Sequence, residues 1–231
     1  MREASSNGGR RRALVLATVL VAVGLLYAAS ARERSFFDAD TAQYLGLAES
    51  LLAGDGYRFD GRAQTKFPPG VALAYLLPLA LFGRDFVWIY RATVFYSVAA
   101  LWAAWAWWEA RGERARWLLL ALTAGSITWY EFSLGASLSE TPFALATLVA
   151  LGFAERGFGR GPLPVLGFAA AVVAAVLTRT AGVALLAGIW ATVVLRWRTG
   201  RSERVGLLAG AAAGTLALLA WSLWSAGARE P

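Results

Sequence analysis

The chain has no histidine and no cysteine. That excludes disulfides, thiolate nucleophiles, Cys/His metal sites and a Ser-His-Asp triad together. Any proton transfer falls to Asp, Glu, Tyr or Lys. Lysine is nearly absent too: of 22 basic residues only Lys66 is a lysine, and the rest are arginine. Charge is scarce overall, at 16% of 231 residues, while 58% are hydrophobic and mean hydropathy is +0.52. A soluble domain runs nearer to about 45–50% apolar. Eleven tryptophans and several long uncharged runs are those of an integral membrane protein, in which the bilayer replaces a soluble core. The net charge of +7 then reads as topology and not as nucleic-acid affinity, because arginine collects on the cytoplasmic side.

Residues 1–12, "MREASSNGGRRR", form a polar, basic tail. Residues 13–31 are uncharged and long enough to cross a hydrocarbon core of ~30 Å at ~1.5 Å per residue. The "ASA" at 29–31 resembles a signal-peptidase site. The apolar run exceeds the usual signal core of about 7–15 residues, so it reads as an uncleaved first span. Residues 32–85 form an outer loop. Within it, 41–53 has helical periodicity, with Tyr44, Leu47, Ala48, Leu51 and Leu52 on one apolar face and Gly54 as C-cap. Such a helix beside a span lies on the membrane surface. The stretch 70–83 is apolar but only about 20 Å long as a helix, and Pro78 interrupts it. Six further spans are expected within 86–225, at 86–108, 117–132, 140–154, 163–178, 181–195 and 205–225. A short outer tail, 226–231, follows.

Charge decides whether 70–83 crosses. If it does not, the N-terminal tail and the segments 109–116, 155–161 and 196–204 share one side, with thirteen arginines against five acids. The other side is close to neutral. If 70–83 does cross, the last three basic segments all land outside. The positive-inside rule therefore predicts about seven transmembrane helices and a cytoplasmic N-terminus. It also makes 70–83 a re-entrant or surface helix and puts the loop on the periplasmic or extracellular side. The fold class is an all-α integral membrane protein whose outer loop carries amphipathic juxtamembrane helices.

The polar residues to explain lie at that outer side. Asp40 stands just before the 41–53 helix. It is an N-cap with Gln43 completing a variant capping box, or a positioned carboxylate for general-base or hard-cation work, and one residue serves both. Asp38 is either solvated or part of a D-x-D pair, which alone is a weak motif. Lys66, in "TKFPPG", is held on a segment stiffened by two prolines. It is a snorkelling interfacial lysine or a point-charge contact to phosphate. Arg91, Glu140 and Arg179 sit at outer ends of spans, where ionisable groups are costly and often functional. The plainer account is that they pair with one another or mark turns. Glu109 and Glu131 are boundary charges, and the tryptophans of "LWAAWAWW" form an aromatic belt.

The succession of one span, a loop helix with Asp-x-x-x-Tyr, "LLAGDGY", "KFPPG", an apolar stretch ending "LFG" and an arginine opening the next span resembles a known family. It is similar to the amino-terminal half of the membrane glycosyltransferases of the C-type (GT-C) fold. The likeness is to the dolichyl-phosphate-mannose protein mannosyltransferases and the bacterial aminoarabinose and lipopolysaccharide-core sugar transferases. It covers roughly residues 13–200. On this resemblance Asp40 matches the catalytic aspartate and Tyr44 the tyrosine four positions on. The second acid of the family is missing at Thr41, with Asp38 as its substitute. Lys66 matches a lysine that contacts the donor phosphate.

The resemblance implies inverting sugar transfer from a polyprenyl-phosphate donor to an acceptor (lipid, glycan or protein) at the outer face of an inner membrane. Asp40 would be the general base, and Lys66 and Arg179 would hold the phosphate. Tyr44, Arg91 and Glu140 complete the expected substrate-binding set. Asp38 and Asp40 are the candidate ligands for Mg²⁺ or Mn²⁺, though no cofactor is firmly implied. Membrane lipid and a second chain supplying a carboxy-terminal half are the expected partners, because the family usually has more spans. The competing reading is a truncated or degenerate non-catalytic subunit that binds lipid or partners only. A transporter is disfavoured, because its ionisable residues would lie at the bilayer midplane.

Overall fold

The computed structural model describes residues 2–31, 39–135, 138–159, 161–195 and 200–228. It is all-helical apart from one two-residue hairpin. The elements are α1 (Arg2–Ser30), α2 (Ala39–Ala53), β1 (Arg58–Phe59), β2 (Arg62–Ala63), α3 (Gly70–Phe82), α4 (Phe86–Ala110) and α5 (Arg116–Ala124). Then come α6 (Ile127–Ser133), α7 (Glu140–Arg156), α8 (Pro162–Thr178), α9 (Gly182–Leu195) and α10 (Arg201–Gly227).

Three of these helices are long and apolar enough to cross a bilayer: α1 over Gly9–Ser30, α4 and α10. Large apolar side chains such as Leu25, Phe95, Leu163, Leu195 and Leu223 face outward. Faces of this kind are tolerable only against hydrocarbon, which marks the chain as a membrane protein. Shorter apolar helices, α3, α8 and α9, accompany them.

Local sequence explains most element ends. Asp85 caps α4, its carboxylate accepting from the amides of Val87 (2.9 Å) and Trp88 (3.3 Å). Gly54 closes α2 at φ +83°, and the Asp55 amide reaches back to the Ser50 carbonyl (3.0 Å), a Schellman-type stop. Asp60 and Gly61, at φ +49° and +77°, make the two-residue turn that pairs Arg58 with Ala63.

The helices join two ends. At one end, here the loop end, lie α2, the hairpin, α3 and the starts of α4 and α7. The last turns of α8 and α10 are there too. Glu49 on α2 grips Arg84 with both carboxylate oxygens, tying α2 to the α3–α4 turn. Tyr57 packs edge-to-face on Trp221 and Trp224 of α10, at 5.8 and 5.9 Å between ring centroids. At the far end, Arg111 pairs with Glu155 (3.2 Å), and the Phe158 amide donates to Glu203 (3.3 Å). Among the described residues, three of the four hydrophobic clusters make up most of the interior. One, around Tyr44, Leu47, Val71, Tyr75 and Ile89, lies under the loop. One joins α7 to α10 through Phe168, Val172 and Ala211. One seats α1 on α4 and α5 through Leu16, Leu101 and Trp105.

Several boundaries differ from the sequence reading. The helix of α1 continues through most of the basic tail. The expected 117–132 segment is two helices. Chain direction breaks at Gly125 and Ser126, and the Ser126 hydroxyl accepts from the Trp129 amide (3.2 Å) to start α6. The 70–83 stretch is helical as expected, with one face buried and Leu73, Leu77 and Leu81 exposed on the other. It packs against α2, α4 and α8, and Val71, Ala72 and Tyr75 are fully buried. Tyr75 meets Thr93 (2.7 Å) and Tyr96 donates to the Ala74 carbonyl (2.5 Å), while Phe82 stacks on Trp88. So α3 runs antiparallel to the first turns of α4, with Gly70 at its deeper end.

Candidate functional site

Asp40 lies inside the first turn of α2, which begins at Ala39, and not at the N-cap position expected for it. An acidic residue there still benefits from the partial positive charge of the helix start. Its side chain is exposed. The capping-box role expected of Gln43 is also replaced: Gln43 Oε1 accepts from Gln64 Nε2 of the "QTKFPPG" segment (3.1 Å). One residue on, Tyr44 packs edge-to-face on Phe67, with ring centroids 5.2 Å apart. Asp40 is one turn before both residues, so the α2 face that carries it is the face laid along this segment. Tyr44 itself is buried and supports Phe67 from below.

The segment is pinned at several points. Gln64 Oε1 accepts from the Lys66 amide (2.8 Å). The Tyr57 hydroxyl donates to the carbonyls of Phe67 (3.0 Å) and Pro68 (3.2 Å). Burial, with Tyr44 nearby as the lesser cause, holds the Tyr57 phenol above its ordinary range, so it remains a donor. The Lys66 side chain is exposed, with Nζ 4.6 Å from the centroid of the Phe67 ring. Among the described residues no carboxylate lies within ion-pair distance of Lys66.

The segment ends at Gly70, which touches the last turn of α8. A Cβ placed on Gly70 would come within 2.5 Å of the Leu177 carbonyl oxygen and 2.7 Å of the Thr178 amide nitrogen. The next residue, Arg179, is paired with Glu140 at the start of α7 and donates to the Ser139 hydroxyl (3.1 Å). Both side chains are only partly exposed. The plainer expectation for these two charges, mutual pairing, thus holds. Arg91 stands apart: its guanidinium lies over Trp88, 4.6 Å from the ring centroid, on an exposed face of α4. Asp38 lies outside the described residues, so the D-x-D pair is seen only at Asp40. Among the described residues no group of three or more acidic residues is gathered as a metal site.

The loop end thus brings together the α2 face bearing Asp40, Lys66 on its pinned segment, and the Arg179–Glu140 pair. Beside them an apolar groove of about 790 Å³ runs between α3, α7 and α8. Leu73, Gly70 and Thr178 line its end nearer the loop, and it passes Ala146 and Ala174 to reach Phe153. Sequence reasoning missed Gln43, Gln64, Tyr57 and Ser139 as positioning residues. Only the Pro-Pro pair signalled that the segment is fixed. No protein-family model, curated protein or solved structure matches this chain.

Proposed function

We propose that the chain is a membrane glycosyltransferase, or the amino-terminal portion of one, that moves a sugar from a polyprenyl-phosphate donor to an acceptor hydroxyl. The observation that carries this reading is that the α2 face bearing the exposed Asp40 lies along the segment of Lys66, a lysine with no carboxylate at ion-pair distance among the described residues, and that this segment ends at Gly70 on the wall of the apolar groove. A polyprenyl chain is hydrocarbon and suits the groove. Its phosphate needs a cation at the groove mouth, and Lys66 supplies a point charge on a stiff segment.

In the reaction proposed, the acceptor oxygen attacks the anomeric carbon from the side opposite the phosphate. The bond between that carbon and the phosphate oxygen breaks, and the electron pair leaves with the polyprenyl phosphate. The configuration inverts, and Asp40 takes the acceptor proton. Lys66 stabilises the charge that gathers on the phosphate, and Arg179 offers the guanidinium nitrogens that Glu140 and Ser139 leave unused. None of these roles requires His or Cys, in keeping with the composition. The topology proposed with it has seven crossings: α1, α4, α5 with α6, and α7 to α10. The loop end then lies outside, and the arginine-rich turns at the far end lie in the cytoplasm.

The test uses the full chain in lipid nanodiscs with a short-chain polyprenyl-phosphate sugar. Asp40→Asn is expected to lower transfer by about 10²–10⁴-fold, the usual worth of a general base, with donor binding retained. Lys66→Ala is expected to weaken donor binding roughly tenfold, as loss of a charge-assisted contact does. Normal transfer by Asp40→Asn would remove the catalytic assignment. Absence of saturable donor binding by the folded wild type would overturn the transferase reading.

A further inference from the structure

Tyr57 grips the segment that carries Lys66 on both sides of the lysine. Its carbonyl accepts from the Gln64 amide (3.1 Å), which extends the ladder of β1 and β2 by one pair. Its hydroxyl donates to the carbonyls of Phe67 (3.0 Å) and Pro68 (3.2 Å). The residue itself stands outside any helix. It follows the turn of Gly54 and Gly56, both at φ +83°. A ring in that setting needs a wall from elsewhere in the fold if its hydroxyl is to keep one place.

The last turns of α10 supply that wall. Trp221 and Trp224 lie one turn apart on one face of the helix. Their rings stack 5.1 Å apart, with 27° between the planes. Tyr57 meets both edge-to-face, at interplanar angles of 84° and 63°. The plain account of two tryptophans at a helix end is an interfacial belt. Trp224, 42% exposed, meets that account in part. A belt tryptophan needs only lipid head groups around it, whereas these two rings share one partner from the loop. Elsewhere α10 packs along α8 and α9. The two tryptophans therefore carry its position into the loop.

We propose that Trp221 and Trp224 are positioning residues for Lys66, acting through Tyr57, so that the place of α10 governs the place of the lysine. The indole pair fixes the Tyr57 ring, and the ring fixes its hydroxyl. The hydroxyl fixes the Phe67 and Pro68 carbonyls, one and two residues beyond Lys66. Two prolines stiffen the backbone there, so a shift at 67–68 is passed to the lysine and not absorbed. Holding Lys66 in one place lowers the ordering cost of any anion it binds. The positioning stands on these contacts alone. Its service to a donor phosphate rests on the transferase reading above.

The chain has no cysteine, so Thr65→Cys takes a single nitroxide label beside Lys66. The full chain in nanodiscs is compared with Trp221→Leu/Trp224→Leu, which keeps α10 apolar, and with Trp221→Phe/Trp224→Phe, which keeps aromatic rings. The double leucine variant is expected to speed the rotation of the label. Without the label, it is expected to weaken farnesyl phosphate binding about fivefold, less than removal of Lys66 itself. The double phenylalanine variant should restore most of both. In a Tyr57→Phe background the hydroxyl link is already cut, so the leucine changes should cost binding nothing more. A merely structural loss would add in either background. An unmoved label in the folded double leucine variant overturns the proposal, and so does a fully additive loss in the Tyr57→Phe background. Should the double variant fail to fold, Trp221→Leu alone carries the same comparisons. A wild type that binds no farnesyl phosphate sinks the transferase reading, while a label that still loosens leaves the positioning standing.

Discussion

The guanidinium of Arg179, the first residue beyond α8, is paired with the carboxylate of Glu140, the first residue of α7. The pair staples two helix ends where each would otherwise leave a charge near the apolar layer. Glu140 in the first turn of α7 also complements that helix's dipole. Ser139 holds the same guanidinium nitrogen, so Arg179 is fixed from one strip of α7.

This arrangement sets a coupling that a double-mutant cycle can read. Glu140→Gln and Arg179→Gln should each destabilise the chain, because each leaves the other charge without its partner in a partly dehydrated place. The double variant should cost less than the two singles added, by about 1–3 kcal/mol. Unfolding in mixed micelles measures this. Additive losses would mean that the pair is solvent-screened and holds nothing together.

Close approach at Gly70 gives a second expectation. No side chain fits between the start of α3 and the Leu177 carbonyl, since the obstacle is backbone and cannot rotate away. Gly70→Ala should therefore push α3 off α8 and lower stability by about 1–3 kcal/mol. It should also weaken binding of any phosphate held by Lys66, four residues upstream on a proline-stiffened segment. Gly188→Ala is the control: nothing stands within 4 Å of its added Cβ, and its backbone is ordinary helix. That change should be neutral or stabilising. Equal behaviour of the two variants would show that the α3–α8 contact is slack.

Hydropathy made the long helices legible, and α4, α7, α8 and α9 end within about a turn of where their apolar runs end. Gly54 announced the stop of α2 because only its backbone freedom suits that turn. The break at Gly125–Ser126 was not legible. Periodicity runs through it, and the hydroxyl that starts α6 looks like any serine in an apolar run. Asp40 was misplaced by two positions, because a helix start is set by the residues before it as much as by the cap residue. The site was legible as parts. Lys66 stood out by its uniqueness, and Arg179 by its place in a short turn. What joins them is not local. Gln43 to Gln64, Tyr57 to Trp221 and Gly70 to Leu177 are pairings across the chain that composition and spacing do not encode.

Tyr57 offers the last test, through pH. Its hydroxyl is the anchor that holds the Phe67 and Pro68 carbonyls, and burial raises its pKa above the ordinary value of 10.0. The unfolded chain ionises this phenol near 10, while the folded chain keeps it protonated to higher pH. The stabilising contribution is thus fully present below about pH 10 and is lost as pH climbs from there towards the folded value. Other tyrosines titrate in the same range, so the comparison must be between wild type and Tyr57→Phe. At neutral pH the variant should lose about 1–2 kcal/mol with the one hydroxyl proton that the Phe67 and Pro68 carbonyls share. Above pH 10 wild-type stability should fall faster than the variant's, and the two melting curves should converge. Parallel pH slopes would mean that the phenol is not held in its protonated form, and that the "KFPPG" segment owes its position to the prolines and the Gln43–Gln64 bond.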